Sequence, residues 1–169
     1  MKKMIIITLL MAITVAAGSG FAASGHRLGG GATYWVALDD VEFDQEKVDD
    51  DGFSFLASYQ YWPSLFGLEL DVEFLPDRFG ESAVAPEAYV LLGRAIYCGL
   101  GIGMIYSDGN FADEPFYAIK AGLNLELIPG LYADIYGNYR FNDSADIDRE
   151  ETDIDTDTVF LGAAIRISL

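Results

Sequence analysis

The clearest pattern in the chain is a strict alternation of apolar and acidic side chains between residues 65 and 75. The apolar set is Phe66, Leu68, Leu70, Val72 and Phe74, and the acidic set is Glu69, Asp71 and Glu73. Side chains of a β-strand point to opposite faces with a period of two, whereas a helix would mix these two sets. The stretch is therefore predicted to be one strand with an apolar face and an acidic face.

The same alternation recurs along the chain between turn residues and acidic segments. We predict eight strands, at residues 28–38, 53–61, 65–75, 84–92, 96–106, 117–127, 131–141 and 159–169. Turn signals at residues 63–64, 93–94 and 129–130 alternate with longer loops, among them 76–82. Pro86 is expected at the loop-side rim of its strand, because proline removes a donor from the ladder. The pattern predicts an all-β fold, an eight-stranded antiparallel up-and-down transmembrane β-barrel.

The first residues predict a targeting segment rather than part of the fold. Lys2 and Lys3 precede an apolar run over residues 4–17, which small residues follow as far as Ala22. The run is too short to span a membrane as a helix, so we predict a signal peptide over residues 1–22, with cleavage after Ala22 or Ala23. Residues 23–169 then form one barrel domain. They contain no second long apolar run, so they can cross a membrane only as a closed barrel.

Periodicity alone does not say which face of the barrel points outward, because a soluble lipocalin-like barrel shows the same alternation with the faces exchanged. Aromatic residues of the apolar face gather near strand ends, as in the belts of membrane barrels. They are Phe53, Phe55, Phe74, Tyr106, Tyr117, Tyr139 and Phe141 near the loops, and Tyr61 and Phe66 near the turns. The polar face mixes glycines with tyrosines, which suits a narrow filled lumen. We therefore expect the apolar face to meet lipid, with a soluble periplasmic ligand-binding barrel as an alternative.

The polar face also carries charges of both signs. Buried charges are costly unless they are paired, so inward-pointing acids and bases are expected to form ion pairs across the lumen. The predicted structural network consists of Glu69, Asp71, Glu73, Lys120, Glu126, Asp134, Arg140 and Arg166.

In its predicted architecture the chain resembles a known family, the small eight-stranded outer-membrane barrels typified by the OmpA membrane domain and OmpX-like proteins. The resemblance rests mainly on the sequence from Gly67 to Phe74 and on a final strand that ends at the C-terminus. It implies a location in the Gram-negative outer membrane, contacts with outer-membrane lipids, lipopolysaccharide and the barrel-insertion machinery, and a monomer. The family usually ends in an aromatic residue, whereas this chain ends in Leu169.

Charge and loop composition narrow the possible partners. The chain has 27 acidic and 10 basic residues, a net charge of −17, which argues against nucleic acid as a partner. Two predicted loops, residues 39–51 and 142–157, each hold eight acidic residues. We hypothesise that these two loops bind divalent cations weakly. Asp153, Asp155 and Asp157 have the spacing of an EF-hand loop but lack its glycine at the sixth position, so no defined metal site is predicted.

The sequence offers little for catalysis. His26 is the only histidine, and no serine or acidic residue forms a motif with it. The single Cys98 excludes an internal disulfide and alternates with apolar residues. We therefore predict no catalytic residues and no cofactor. The predicted function is a non-enzymatic outer-membrane barrel with a structural or surface-interaction role through its acidic loops; the alternative is a barrel enzyme that modifies lipid A or phospholipid.

Overall fold

A computed structural model describes residues 25–38, 42–43, 46–47, 51–78, 81–107, 109–141 and 157–169 of the chain. The long strands are β1 (His26–Ala37), β2 (Asp51–Tyr61), β3 (Phe66–Arg78), β4 (Glu81–Gly93), β5 (Ile96–Gly103), β6 (Phe116–Ile128), β7 (Leu131–Phe141) and β8 (Thr158–Ser168). Two-residue strands pair at Glu42–Phe43 with Glu46–Lys47, and at Tyr106–Ser107 with Asn110–Phe111. Within these ranges no helix is long and apolar enough to cross a membrane. The predicted signal peptide and most of both acidic loops lie outside the described residues.

The eight long strands form one closed antiparallel barrel. Each strand pairs with its neighbours in sequence, and the first and last strands pair with each other. Ala32 of β1, for example, lies opposite Phe55 of β2 on one side and Ala163 of β8 on the other. Both described chain ends and three short turns lie at one end of the barrel, which we call the turn end; the opposite end is the loop end. The predicted fold class, an eight-stranded up-and-down barrel, is confirmed.

The two faces of the sheet are oriented as the sequence predicts for a transmembrane barrel. In β3, Leu70 is 56% exposed on the outer wall, whereas Glu69 and Asp71 are 0% and 3% exposed inside. The outer wall is apolar on every long strand, and every predicted belt aromatic lies on it, fully or partly exposed. The soluble alternative, in which the apolar face points inward, is therefore wrong.

The wall between β3 and β5 differs near the loop end from what the sequence predicts. The predicted loop at 76–82 is wrong, because β3 runs to Arg78 and β4 begins at Glu81. Pro86 lies within β4, opposite Val72, rather than at the rim. Its carbonyl accepts a bond from Met104 N at 3.2 Å, just beyond the last β4–β5 pair, Glu87 with Gly103. A proline is tolerated where regular pairing ends, which also explains why β5 stops three residues earlier than predicted.

Large aromatic side chains fill the lumen by packing over inward-facing glycines. Tyr89 lies opposite Gly101 and Tyr136 opposite Gly162, and a Cβ atom at either glycine would overlap the tyrosine ring. Gly67 admits the Trp62 ring at the turn end in the same way. The combination of glycine and tyrosine on the polar face therefore reflects close packing inside a narrow barrel.

A charge on the outer wall should be costly only at mid-height. We expect Leu70→Arg, near the middle of β3, to lower the free energy of unfolding by about 2–4 kcal/mol, because its guanidinium would lie in hydrocarbon. Leu127→Arg, beside the 129–130 turn, is the matched control and should cost about 0–1 kcal/mol. Urea unfolding of the lipid-refolded protein measures both, and equal costs would show that the outer wall does not face lipid.

Candidate functional site: the charged lumen

Lys120 of β6 is the centre of the first cluster of charges in the lumen. Its side chain is buried, and Nζ makes ion pairs with Glu69 and with Asp71, the latter at 2.8 Å from Oδ2. The rings of Tyr89 and Tyr136 lie 4.7 and 4.3 Å from Nζ. Two acids of one strand and two aromatic faces therefore surround one ammonium group, which compensates for much of its lost hydration.

Arg166 of β8 extends this cluster. Its guanidinium forms an ion pair with Asp134 and lies 3.6 Å from Glu69 Oε2, and its Nη2 is 3.1 Å from Ser58 Oγ. The Tyr97 hydroxyl lies 3.0 and 3.1 Å from the two carboxylate oxygens of Asp134 and donates to that group. Asp134 thus has a cationic partner and a neutral donor.

A second cluster surrounds Arg140 of β7. Its Nη2 makes ion pairs with Glu73 of β3 and Glu87 of β4. The rings of Phe116 and Phe160 lie 4.7 and 3.8 Å from the guanidinium carbon. Ser54 donates to Glu73 at 2.5 Å, and Tyr89 donates to Glu87.

Large rings lie beyond the charged layer at both ends of the lumen, and at the turn end the half-buried Arg27 guanidinium also lies over the rings of Trp62 and Tyr132, at 5.9 and 3.6 Å. At the loop end, buried apolar residues that include Trp35, Leu75 and Ile105 form a cluster above Arg140. At the turn end, Trp62 Nε1 donates to Gln60 at 2.9 Å, and Gln60 donates in turn to Glu69. The charged layer is therefore enclosed between apolar groups, which strengthens its electrostatic interactions.

The structure brings together all of the predicted network residues except Glu126. The Glu126 carboxylate is exposed at the turn end, where it accepts bonds from Gly130 N at 3.0 Å and the Tyr132 hydroxyl at 3.2 Å. Glu126 is paired with Tyr132 near the turn end of β6, and the β6–β7 register shifts directly after it, so its side chain lies at the mouth of the barrel and not in the buried lumen.

Glu87 is the member of the network that the sequence analysis missed. It points inward from β4, directly opposite Asp71, and is 6% exposed. The available signal was its spacing of two from Tyr89, which puts both side chains on the same face of β4.

Other candidate groups do not form a site among the described residues. His26 Nδ1 lies 2.5 Å from the Tyr59 hydroxyl and its ring stacks on Tyr61, so it extends the aromatic belt at the turn end. Cys98 is exposed on the apolar outer wall. In the described part of the chain, no three His, Cys, Asp or Glu side chains are grouped to hold a metal ion.

Comparison with known proteins identifies the fold. No protein-family model matches the sequence, and no curated protein matches it. Among solved structures, Neisserial surface protein A (NspA) is similar with a TM-score of 0.63 at 14% identity, covering 86% of this chain and 98% of that one. The outer membrane protein OprG from Pseudomonas aeruginosa has a TM-score of 0.51 at 16% identity, covering 86% and 97%.

The chain thus has the fold of the small Gram-negative outer-membrane β-barrels, as the resemblance implied. The exposed apolar wall and the buried polar interior agree with the predicted location in the outer membrane.

Removing one base from the lumen should destabilise the barrel strongly. We expect Arg140→Ala and Arg166→Ala each to lower the free energy of unfolding by about 3–5 kcal/mol, because each leaves buried carboxylates without their cation. The control is Arg94→Ala, at an exposed turn where Nε donates to the Ser64 carbonyl at 3.2 Å. Urea titrations followed by tryptophan fluorescence provide the measurement. Similar small losses for all three variants would mean that water screens the lumen charges.

Proposed function

We propose that this protein is a non-enzymatic, monomeric outer-membrane barrel that acts through its acidic loops, in a structural or surface-interaction role. The observation that carries the proposal is the filled lumen: ion pairs occupy its middle, and Trp35 and Trp62 are buried near its two ends. Such an interior supports neither passage of solutes nor a ligand pocket. The long loops are then the part of the molecule that can meet partners outside the membrane.

The surroundings of His26 and of the lumen carboxyl groups argue against the enzymatic alternative. A barrel enzyme that modifies lipid A or phospholipid needs an activated nucleophile with a base within reach, at a place that a lipid can enter. His26, the only histidine of the chain, is engaged with Tyr59 and Tyr61. Each of the lumen carboxyls in the ion-pair clusters already has a basic partner and is enclosed.

The closed lumen predicts no general pore. In planar bilayers, the refolded protein should show no sustained conductance of porin size, because side chains fill an eight-stranded barrel. A variant that truncates the large rings, Trp35→Ala with Tyr89→Ala, is the comparison that should leak more. Open channels of porin size in the wild-type protein would refute the proposal.

We further propose that the two acidic loops gather divalent cations at the cell surface. The loops themselves lie largely outside the described residues, but the residues at which they leave the barrel support the proposal. Because β1 pairs with both β2 and β8, the two loops leave the barrel side by side, and Leu38 N bonds the Asp157 carbonyl at 2.9 Å. Tyr34 and Tyr139 donate to Asp51 and Asp157 at 2.6 and 2.7 Å. Neighbouring anionic loops repel each other, and hard cations would relieve this repulsion.

Such cations would also bridge the loops to the phosphate groups of lipopolysaccharide, the expected outer leaflet. Binding is expected to be weak and to involve several ions, because the loop sequences lack the ligand pattern of a defined calcium site. The partners of this proposal are thus outer-membrane lipids, lipopolysaccharide and divalent cations. The barrel-insertion machinery would act during assembly.

Calcium titration calorimetry of the lipid-refolded protein tests this role. A variant with the acids of residues 146–155 changed to Asn or Gln should lose a large part of the calcium uptake, because it loses most of one loop's carboxylates. The control, Asp113→Asn with Glu114→Gln, removes acids from the β5–β6 connection and should bind almost as the wild type does. Equal uptake by all three proteins would leave the loops with no role in binding calcium.

A further inference from the structure

The charges enclosed in the lumen do not balance. The buried carboxyl groups are Glu69, Asp71, Glu73, Glu87 and Asp134, and the buried bases are Lys120, Arg140 and Arg166; none of these residues is more than 6% exposed. If every one of these groups were ionised, this fully buried layer would carry two more negative than positive charges; Arg27, half-buried at the turn end over the Trp62 and Tyr132 rings, is not part of the layer. An uncompensated charge in such surroundings costs several kcal/mol, so the folded barrel must neutralise this excess.

The ion pairs show where the two excess charges lie. Lys120 and Arg166 together contact three acids, Glu69, Asp71 and Asp134. Arg140 alone contacts two, Glu73 and Glu87. Each cluster therefore has one carboxyl group more than it has bases.

Within the first cluster, Asp71 is the acid whose charge is least supported. Glu69 contacts both bases and accepts a bond from Gln60, and Asp134 has Arg166 and Tyr97. Asp71 shares Lys120 with Glu69 through Oδ2, and its Oδ1 accepts no hydrogen bond.

The position of Asp71 in the sheet adds a second reason. It lies directly opposite Glu87 of β4, and both side chains point inward. Like charges at facing positions of neighbouring strands repel, because their Cβ atoms are only about 4.5–5.5 Å apart. Ionising both carboxyl groups would place the excess charge of each cluster beside that of the other.

Several buried acceptor atoms in the lumen also lack a hydrogen-bond donor. Besides Asp71 Oδ1, two buried amide oxygens, Asn124 Oδ1 and Asn138 Oδ1, accept no bond from the described residues. A protonated carboxyl group supplies a donor as well as removing a charge. A proton on Asp71 would therefore remove one excess charge and add one hydrogen-bond donor.

We propose that the folded barrel binds two protons in its lumen at neutral pH, one on Asp71 and one on the Glu73–Glu87 pair around Arg140. Both carboxylates take up their protons from water as the barrel closes around them. The groups that face Asp71 are Lys120, Glu69 and Glu87. Those that face the Glu73–Glu87 pair are Arg140, Lys120, Ser54 and Tyr89, with Asp71 directly opposite Glu87. The barrel interior is then a proton-binding site, and folding is linked to proton uptake.

Isosteric substitution tests the assignment, because a carboxamide resembles a neutral carboxyl group and not a carboxylate. Asp71→Asn should leave the urea midpoint of the lipid-refolded chain unchanged or raise it. The matched control within the same cluster is Asp134→Asn, which should lower the midpoint, since Arg166 loses the nearer of its two carboxylate partners. The reverse order of the two variants would overturn the proposal.

The pH dependence of unfolding counts the protons. The folded state holds protons that the unfolded chain releases, so stability should fall as pH rises from 6 to 8. Each such proton raises the unfolding constant by up to about tenfold per pH unit. In Asp71→Asn the dependence of stability on pH should decrease by the equivalent of one proton, and in Glu87→Gln by the equivalent of the other. Slopes identical to that of the wild type in both variants would overturn the proposal.

A bound metal cation is the competing way to neutralise the excess charge. Infrared spectra should show the C=O band of a protonated carboxyl group in the wild-type barrel, and the band should weaken in Asp71→Asn. The urea midpoint should not change when sodium and potassium are replaced by choline at constant ionic strength. Absence of the band, or a midpoint that depends on the cation, would show that a metal ion and not a proton occupies the site.

Discussion

Charges inside a barrel whose outer wall faces lipid have to find their partners across the lumen, and this constraint governs the whole molecule. Lys120 and Glu69 are 51 residues apart in sequence, and Arg140 and Glu73 are 67 apart. The acids come mainly from β3, whereas the bases come from β6, β7 and β8, on other parts of the wall. Arg166 and Asp134 lie on the neighbouring strands β8 and β7, but the ion pairs of Lys120 and Arg140 with acids of β3 and β4 form only when the cylinder is closed. An open sheet would leave the same groups unpaired, so the network favours the closed barrel over partly assembled forms.

Close packing supplies the second requirement for this interior. The lumen of eight strands is narrow, so each large ring needs a small residue opposite it, as Tyr89 has Gly101 and Tyr136 has Gly162. These rings do more than occupy volume: Tyr89 and Tyr136 also face the Lys120 ammonium, and Phe160 lies over the Arg140 guanidinium. Packing and electrostatics thus act through the same side chains. A functional surface has to be sought outside such a core, at the loops and at the boundary with the lipid.

The strand count and the pairing order could be predicted from the sequence because both follow from a period of two and from turn residues. The orientation of the two faces followed from the aromatic belts and from the mixture of glycine and tyrosine on the polar face. Most of the lumen network followed from the same period. The errors occurred where local context overrides that period. Glu126 has the correct parity, but it lies at the turn-end rim beside an irregular pair, where its side chain is exposed. Pro86 was expected at a rim, yet it lies inside β4 beside the end of the β5 ladder. Cross-strand proximity, such as that of Asp71 and Glu87, depends on register, which a single sequence does not reveal.

The chain contains two tryptophans, and the fold buries one near each end of the cylinder, Trp35 toward the loops and Trp62 toward the turns. Their surroundings differ, since Trp35 lies among apolar side chains and Trp62 bonds to Gln60. Each indole is therefore a local optical probe, already present in the natural chain. Replacing either one by phenylalanine would leave a fluorophore that reports on a single end. The two halves of the cylinder could then be timed separately during insertion, which would reveal whether the barrel closes from the turns upward.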